Sequence, residues 1–439
     1  MHCRWRGILS APRWLHSQDT HVRRRKTVQD KAELAGNGTP FHAATSAEMR
    51  TTWWYQWDKY IVPDVYTSMP QELAAIRNAV AMIDMSPLPK MELRGPDAHR
   101  LVDRLMTRDM TRLAVDHVMY APWCNRDGLL VGDGLVFRLA DDWFIVSGET
   151  SHAWFASQAG GLQVTIRNAS DDYGILSLQG PRAFDLMQAA TGRDWSGLKF
   201  SQIGRAAIAG HDILVARQGF TGELGFELWV PRAAGAAVWQ ELQAVGQPFG
   251  VLPAGEYAVD VARIEAGLIL VSADYNGAGP DPRTARVDVT DELNITPIEA
   301  GLGRLIDFGS DFVGKQALQA AAAEPGRRFV GLHYDASAIV TAAAENSACG
   351  TALSRVYWGS MPIFHKGTSH AGKPVGRASS LAFSPTLKRA ISFAFLPAEL
   401  SSPGTVVDVE LKDDEGAAIG RVPATVVSLP FIEIRRSKG

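Results

Sequence analysis

Gln218-Gly219-Phe220-Thr221-Gly222-Glu223-Leu224-Gly225-Phe226-Glu227-Leu228-Trp229-Val230 is the stretch on which the reading of the whole chain turns. It follows a short apolar run, Ile213-Leu214-Val215-Ala216, and closes in a second strand-like run. Gly219, Gly222 and Gly225 let the backbone turn tightly and approach another group closely. Phe220 and Phe226 offer flat faces to a flat ligand. Glu223 and Glu227, when ionised, only accept hydrogen bonds, which suits a ligand edge made of N–H donors. Two readings follow: a site for a planar heterocycle, or a plain β-hairpin with an exposed carboxylate. In the second, Glu223 is a solvated turn residue.

Around this run the chain is an ordinary globular one. Its 439 residues exceed what one core usually serves, so two or three domains are expected. Hydrophobic residues make up 46% and charged residues 21%, as in water-soluble domains. A net charge of -3 gives no electrostatic case for a nucleic-acid or acidic-membrane partner. No apolar stretch is long enough to span a bilayer. Cys3, Cys124 and Cys349 are far apart and lack metal-ligand spacing, so no metal is expected. The same scarcity argues for a reducing compartment, the cytoplasm. Cys124 reads as a buried, inert thiol.

Residues 1–38 stand apart. Arg4, Arg6, Arg13, Arg23, Arg24, Arg25 and Lys26 face one acid, Asp19, over the first 26 positions. That composition fits a tail, an upstream start before Met49, or a transit peptide that would make the protein mitochondrial. The segment is set outside the fold.

Strand and helix signals then mix without regular alternation. A helix is expected over Pro70 to Ala81, with Leu73, Ile76 and Val80 as its stripe. Residues 88–95 alternate like a strand, and Asp97 is placed to cap the helix carrying Leu101, Leu105 and Met106. Met119 to Gly148 reads as a three-strand meander with turns at Arg126-Asp127-Gly128 and Ala140-Asp141-Asp142. Further helices are expected after Gly180-Pro181, over Ala233 to Val245 and over Glu256 to Leu268. From Arg327 onward the pattern changes to short strands, a sandwich or barrel. The fold class is α+β, with no Gly-x-Gly-x-x-Gly unit to suggest a fused nucleotide domain.

The central run resembles the G-[YF]-[TS]-G-E-x-G-[YF]-E signature of the glycine-cleavage T-protein superfamily of folate-dependent one-carbon transferases. Thr39-Pro40-Phe41-His42, Leu93-Arg94-Gly95-Pro96-Asp97-Ala98, Leu105-Met106-Thr107-Arg108-Asp109, Ser177-Leu178-Gln179-Gly180-Pro181, Arg263-Ile264-Glu265-Ala266-Gly267 and Ser384-Pro385-Thr386-Leu387 resemble its other landmarks, in its order. The likeness covers roughly residues 39 to 432. It implies two mixed α/β units enclosing a folate hole, with a sheet unit over 91–166 inserted in the domain 39–325, and a C-terminal β-barrel over 326–439. It implies an enzyme whose cofactor is tetrahydrofolate.

By the same resemblance Glu227 accepts from the pterin edge, and Phe220 and Tyr120 line the slot. Asp133 orients the folate and helps expel ammonia from an aminomethyl group. Where the family has Asn-x-x-Gly-Gly and an Asp pair, this chain reads Asn125 to Leu135, with Leu129 for the second Gly and Gly132 for the first Asp. Asp133, between Gly132 and Gly134, has room to approach a ligand, or is a turn residue. The family helix motif loses its first Arg to Val259 and gains Tyr257, a phenol able to donate a hydrogen bond. Arg263 and Glu265 read as an intrahelical or core-rim ion pair. An inserted segment, Asp274 to Arg283, reads as a lid or specificity loop, and its Tyr275 is a second phenol. Trp53-Trp54-Tyr55-Gln56-Trp57 either lines an aromatic-substrate pocket or packs the first domain, and packing is the favoured reading.

These departures tilt the expectation. The pattern is more similar to the folate-dependent demethylases, which move a methyl group from an aryl ether or a sulfonium to tetrahydrofolate. Asp133 and Tyr257 are then the catalytic candidates and a small-molecule methyl donor the partner. The alternatives are an aminomethyltransferase or related amine-linked transferase, and a non-catalytic folate-binding protein. The oligomeric state is not legible.

Overall fold

The protein is described by a computed structural model. It describes residues 26–28, 34, 36–149, 152–279, 293–324, 326–345, 353, 355–367, 372–413 and 416–437. Cys3, Cys349 and residues 280–283 of the inserted segment therefore lie outside the described residues.

Three sheets and a barrel carry the architecture. A six-stranded sheet runs in the order Ile203–Ile208, His211–Ala216, Gly225–Pro231, Tyr173–Gln179, Val80–Asp84, Val251–Pro253. All its pairs are antiparallel except the last. A five-stranded antiparallel sheet runs Thr165–Asn168, Lys90–Arg94, Trp143–Gly148, Leu130–Ala140, His117–Cys124. The C-terminal strands Arg327–Tyr334, Arg389–Pro397, Gly376–Ser384, Met361–His365, Val406–Lys412 and Ala418–Val427 close into a barrel. This is the expected α+β fold with a C-terminal β-barrel.

The small fourth sheet corrects one boundary. Lys26–Val28 pairs with Trp54–Trp57, and Asn37–Gly38 pairs with Tyr60–Pro63. The basic leader is thus not wholly outside the fold, because its last strands complete a sheet that begins with the aromatic run. Two local expectations also change. The first long helix is Met69–Asn78, and Val80 belongs to the strand Val80–Asp84 that follows it. Its apolar side chain is buried either way, so helix periodicity alone could not exclude it. Asp97 sits at a helix start, yet its carboxylate accepts from the Gln163 amide at 2.7 Å rather than from its own helix.

The two large sheets face each other. Phe137 of one meets Trp229 of the other with ring centroids 4.6 Å apart. Alternation along a strand puts Leu135 and Asp133 on Phe137's face and Glu227 on Trp229's face. The opposite face of Gly225–Pro231 packs on helices. There Phe226 meets Phe184 at 4.9 Å and Trp195 at 6.1 Å. Phe226 is therefore a core residue and not a wall for a ligand.

Candidate functional site

The glycines of the central run have other work than approach to a ligand. A Cβ on Gly219 would lie 2.0 Å from the Gln179 amide, and one on Gly225 would lie 2.3 Å from it. The Gln179 side chain fills the space between them. Its amide donates to Ser177 Oγ at 3.0 Å and to the Gln218 carbonyl at 3.1 Å, and its carbonyl accepts from Thr221 Oγ at 2.8 Å. Gly222 is the turn residue, with φ at +81°. The Ser177-Leu178-Gln179 landmark and the glycine run are thus one interlocked unit.

Glu223 is buried, which overturns its reading as a solvated turn residue. Arg77 donates to it at 3.2 Å, to the Thr221 carbonyl at 2.7 Å and to Glu265 at 2.6 Å. Ser384 of the barrel donates to the other Glu265 oxygen at 2.5 Å. Arg263 and Glu265 accordingly do not pair with each other. Arg263 binds Asp260 at 2.7 Å and Asp274 at 2.6 Å, and Asp274 also accepts from Ser379 and Ser380. Both are buried ions satisfied across domain boundaries, where breaking a pair is costly. The C-terminal segment adds a clamp. The amides of Arg435 and Arg436 donate to the Gly222 carbonyl at 2.7 and 3.1 Å.

Glu227, so held, faces the gap between the sheets. Its carboxylate is buried and has no hydrogen bond among the described residues. Burial pushes its pKa up to about 7, against a smaller pull from Lys90. Lys90 is itself buried, and burial lowers its pKa to about 7. Its ammonium donates to the Ser86 and Leu88 carbonyls, both at 2.9 Å. Lys90 pairs with Ser147, which pairs with Leu135, so Lys90 lies level with the residues beside Asp133.

Asp133 is the centre of a phenol pair. Tyr120, on the neighbouring strand and two residues from Pro122, the register partner of Asp133, donates to it at 2.7 Å. Tyr275, from the inserted segment, donates to its other oxygen. Burial raises the Asp133 pKa, with the two phenols pulling it down and the charges of Asp274 and Glu149 pushing it up. Glu149 accepts from the Trp57 indole at 3.0 Å. The flanking glycines do not make room for a ligand. A Cβ on Gly132 would strike the buried Trp123 ring at 2.7 Å, and one on Gly134 would meet the Ser147 carbonyl at 2.4 Å. Trp123 thus fills the space beside a side chain at 132. Tyr275 is no part of a lid, since Asp274 and Tyr275 are wholly buried.

Tyr257 is placed elsewhere. The Arg355 guanidinium lies 5.0 Å over its ring, and Arg355 pairs with the buried Asp64. Phe220, Tyr55, Trp57, Val259 and Trp358 line a small cavity of about 40 Å3 beside it. Tyr55 and Trp57 are buried in the main core, as the packing reading of the aromatic run expects, and they also border this space. Sequence reasoning missed Glu149, Lys90, Arg77 and Trp358, because each is a single residue in an apolar or polar stretch with no spacing to mark it. A larger cleft of about 630 Å3 opens at the outer edge of the gap, past Phe137 and Trp229. Cys124 is buried, its thiol donates to the Val313 carbonyl, and burial pushes its pKa up to about 12. Among the described residues no His, Cys, Asp and Glu cluster could hold a metal ion, and no helix is long and apolar enough to cross a membrane.

Comparison with known proteins places this arrangement. Residues 39–310 match the GCVT N-terminal domain, and residues 349–433 match the glycine cleavage T-protein C-terminal barrel domain. The aminomethyltransferase of Moorella thermoacetica is 32% identical, over 89% of this chain and 95% of its own. That of Streptomyces avermitilis is 30% identical, over 92% and 100%. The crystal structure of aminomethyltransferase T of the Bartonella henselae glycine cleavage system superposes with a TM-score of 0.73, covering 92% of this chain and 99% of that one at 22% identity. The chain belongs to the glycine cleavage T-protein family of folate-dependent one-carbon transferases.

Proposed function

We propose that this protein moves a one-carbon unit from an amine-linked donor to tetrahydrofolate, as an aminomethyltransferase does. The curated relatives carry that name, which favours this reading over the demethylase expected from the sequence departures. The residues present fit the cofactor. Glu227 is a buried acceptor with no protein partner among the described residues, as an edge of N–H donors requires. Tetrahydrofolate supplies the nucleophilic nitrogen that takes up the carbon.

The observation that carries the proposal is Asp133 between two phenols. Tyr120 and Tyr275 fix the carboxyl on the face it shares with the gap. Burial makes it hold its proton to higher pH than a solvated Asp, which suits a group that must protonate a departing nitrogen. Amines leave poorly unless protonated, so this donation is where an acid helps most. Glu227 then binds and orients, Phe220 and Tyr120 wall the slot, and Asp133 moves the proton. Tyr257 supports Arg355 rather than reacting.

A second reading, methyl transfer from an ether or sulfonium, keeps two supports: Trp123 leaves no space for a second carboxylate at 132, and Val259 puts an aliphatic side chain in its cavity wall where the family motif has an Arg. The products differ. Incubation with tetrahydrofolate and panels of aminomethyl and methyl donors, followed by chromatography of the folate, is expected to give methylenetetrahydrofolate. Methyltetrahydrofolate alone would favour the second reading. Asp133→Asn is expected to lower kcat by about 100-fold or more, and an unchanged kcat would contradict its role as acid.

A further inference from the structure

We infer that Lys90 is a positioning residue for the cofactor: its buried ammonium keeps Glu227 ionised, as the acceptor for the N–H edge of the pterin, without itself occupying that carboxylate. The inference rests on the folate reading above and names the group that lets Glu227 serve it.

The sheet registers put both side chains in one gap. Lys90 pairs with Ser147 and Ser147 with Leu135, so all three share the face that carries Phe137. Glu227 pairs with Ser177 and Ser177 with Ile83, on the face that carries Trp229. Phe137 and Trp229 meet across that gap. The Lys90 ammonium is anchored on the Ser86 and Leu88 carbonyls, both at 2.9 Å. Those carbonyls lie just past the strand Val80–Asp84, and Ile83 of that strand is on the rung of Glu227.

Where a cation sits decides what it does to a carboxylate. Arg77 donates directly to Glu223, which is thereby engaged inside the protein. Lys90 directs two of its three N–H donors at carbonyls and makes no hydrogen bond to Glu227 among the described residues. Glu227 thus gains a counter-charge and keeps its acceptors for a ligand. That counter-charge has work to do. Burial raises the Glu227 pKa to about 7, and Lys90 pulls it back. A neutral carboxyl would point its own O–H at an edge of donors, and only the anion accepts from two N–H groups together. Lys90 has its pKa lowered to about 7 by burial, with Asp84, Asp171 and Glu227 opposing this and Lys59 adding to it. Asp171 pairs with Lys59 at 2.6 Å, and Asp84 is held by Thr39 at 2.5 Å and the Ser86 amide at 3.0 Å. Asp84 and Glu227 are then the buried carboxylates that share the one ammonium.

Calorimetric titration of tetrahydrofolate into the full chain, repeated across pH, tests this. In the unmodified protein the affinity is expected to fall as pH drops below about 7, where Glu227 takes up its proton. Lys90→Met is expected to move that fall to higher pH and to weaken binding by about tenfold at pH 7. At about pH 9 the two proteins are expected to agree, because Glu227 is ionised in both and Lys90 is neutral. Lys90→Gln repeats the test in a gentler form, since its amide still donates to a carbonyl. In a Glu227→Gln background neither substitution is expected to alter the pH course. A folate affinity that is flat with pH in the unmodified protein overturns the inference without any variant. So does a fall that stays in place in Lys90→Gln or Lys90→Met, or a Lys90 effect of equal size in the Glu227→Gln background. If tetrahydrofolate binds and one of these outcomes appears, only the role of Lys90 fails. If tetrahydrofolate does not bind, the folate reading fails as well.

Discussion

Glu227 and Asp133 do different work because their surroundings differ. Glu227 has no hydrogen-bond donor from the described residues, so burial governs it and its pKa rises to about 7. The sign of the resulting pH dependence follows. Below the unfolded value of 4.5 the carboxyl is neutral in both states, and folding carries no charge penalty. As pH rises through about 7 the folded protein must ionise a buried group, and that contribution is lost. Glu227→Gln is therefore expected to leave stability nearly unchanged at pH 5 and to raise it at pH 8, by up to about 3 kcal/mol. Thermal melts at both pH values check this, and an equal change at the two would contradict it. Asp133 has two phenol donors, and they stabilise its ionised form. Tyr275→Phe removes one of them. The Asp133 limb of the rate profile is expected to move to higher pH, and a limb that stays in place would show that the Tyr275 contact does not tune the acid.

At the scale of elements, the strand from Leu130 to Ala140 and the glycine run are shaped by large neighbours. Trp123 stands against Gly132 and Gln179 against Gly219 and Gly225. Gly132→Ala is expected to cost about 1–3 kcal/mol through overpacking, with much of that recovered in a Trp123→Phe background. Denaturant midpoints measure both, and a neutral Gly132→Ala would contradict the packing. The same elements show what could be read in advance. Glu227, Asp133 and Tyr120 lie in runs whose spacing is distinctive; Tyr120 and Asp133 meet in a hydrogen bond, and Glu227 lies on the sheet that faces theirs. Strand alternation was legible, and with it the meander and the barrel. The purpose of the glycines was not, because the residue that fills each space lies tens of positions away. Nor was Glu223, since turn composition cannot reveal that Arg77 buries its carboxylate. Tyr257 and Tyr275 looked alike as phenols, and only the path of the chain decides that Tyr275 reaches Asp133.

At the scale of the molecule, the barrel is tied to the rest of the described chain by buried ions. Arg263 and Asp274 belong to one side, and Ser379, Ser380 and Arg377 to the other. Glu265, Arg77 and Ser384 repeat the pattern. Such links are poor sources of net stability, yet expensive to break singly. Arg263→Ala leaves Asp274 buried with its main cation removed and is expected to cost about 3–5 kcal/mol. A loss below about 1 kcal/mol in denaturant unfolding would show that the junction tolerates the vacancy. These links hold the inserted segment, and through Tyr275 they hold Asp133.

All of this depends on a reduced folate lodging between the sheets with its N–H edge on Glu227. Calorimetric titration of tetrahydrofolate into the unmodified protein and into Glu227→Gln tests that directly. The expected result is saturable binding that weakens by about 10- to 100-fold in the variant, the loss of a hydrogen bond to a charged acceptor. Binding of equal strength in both proteins, or none in either, would contradict it.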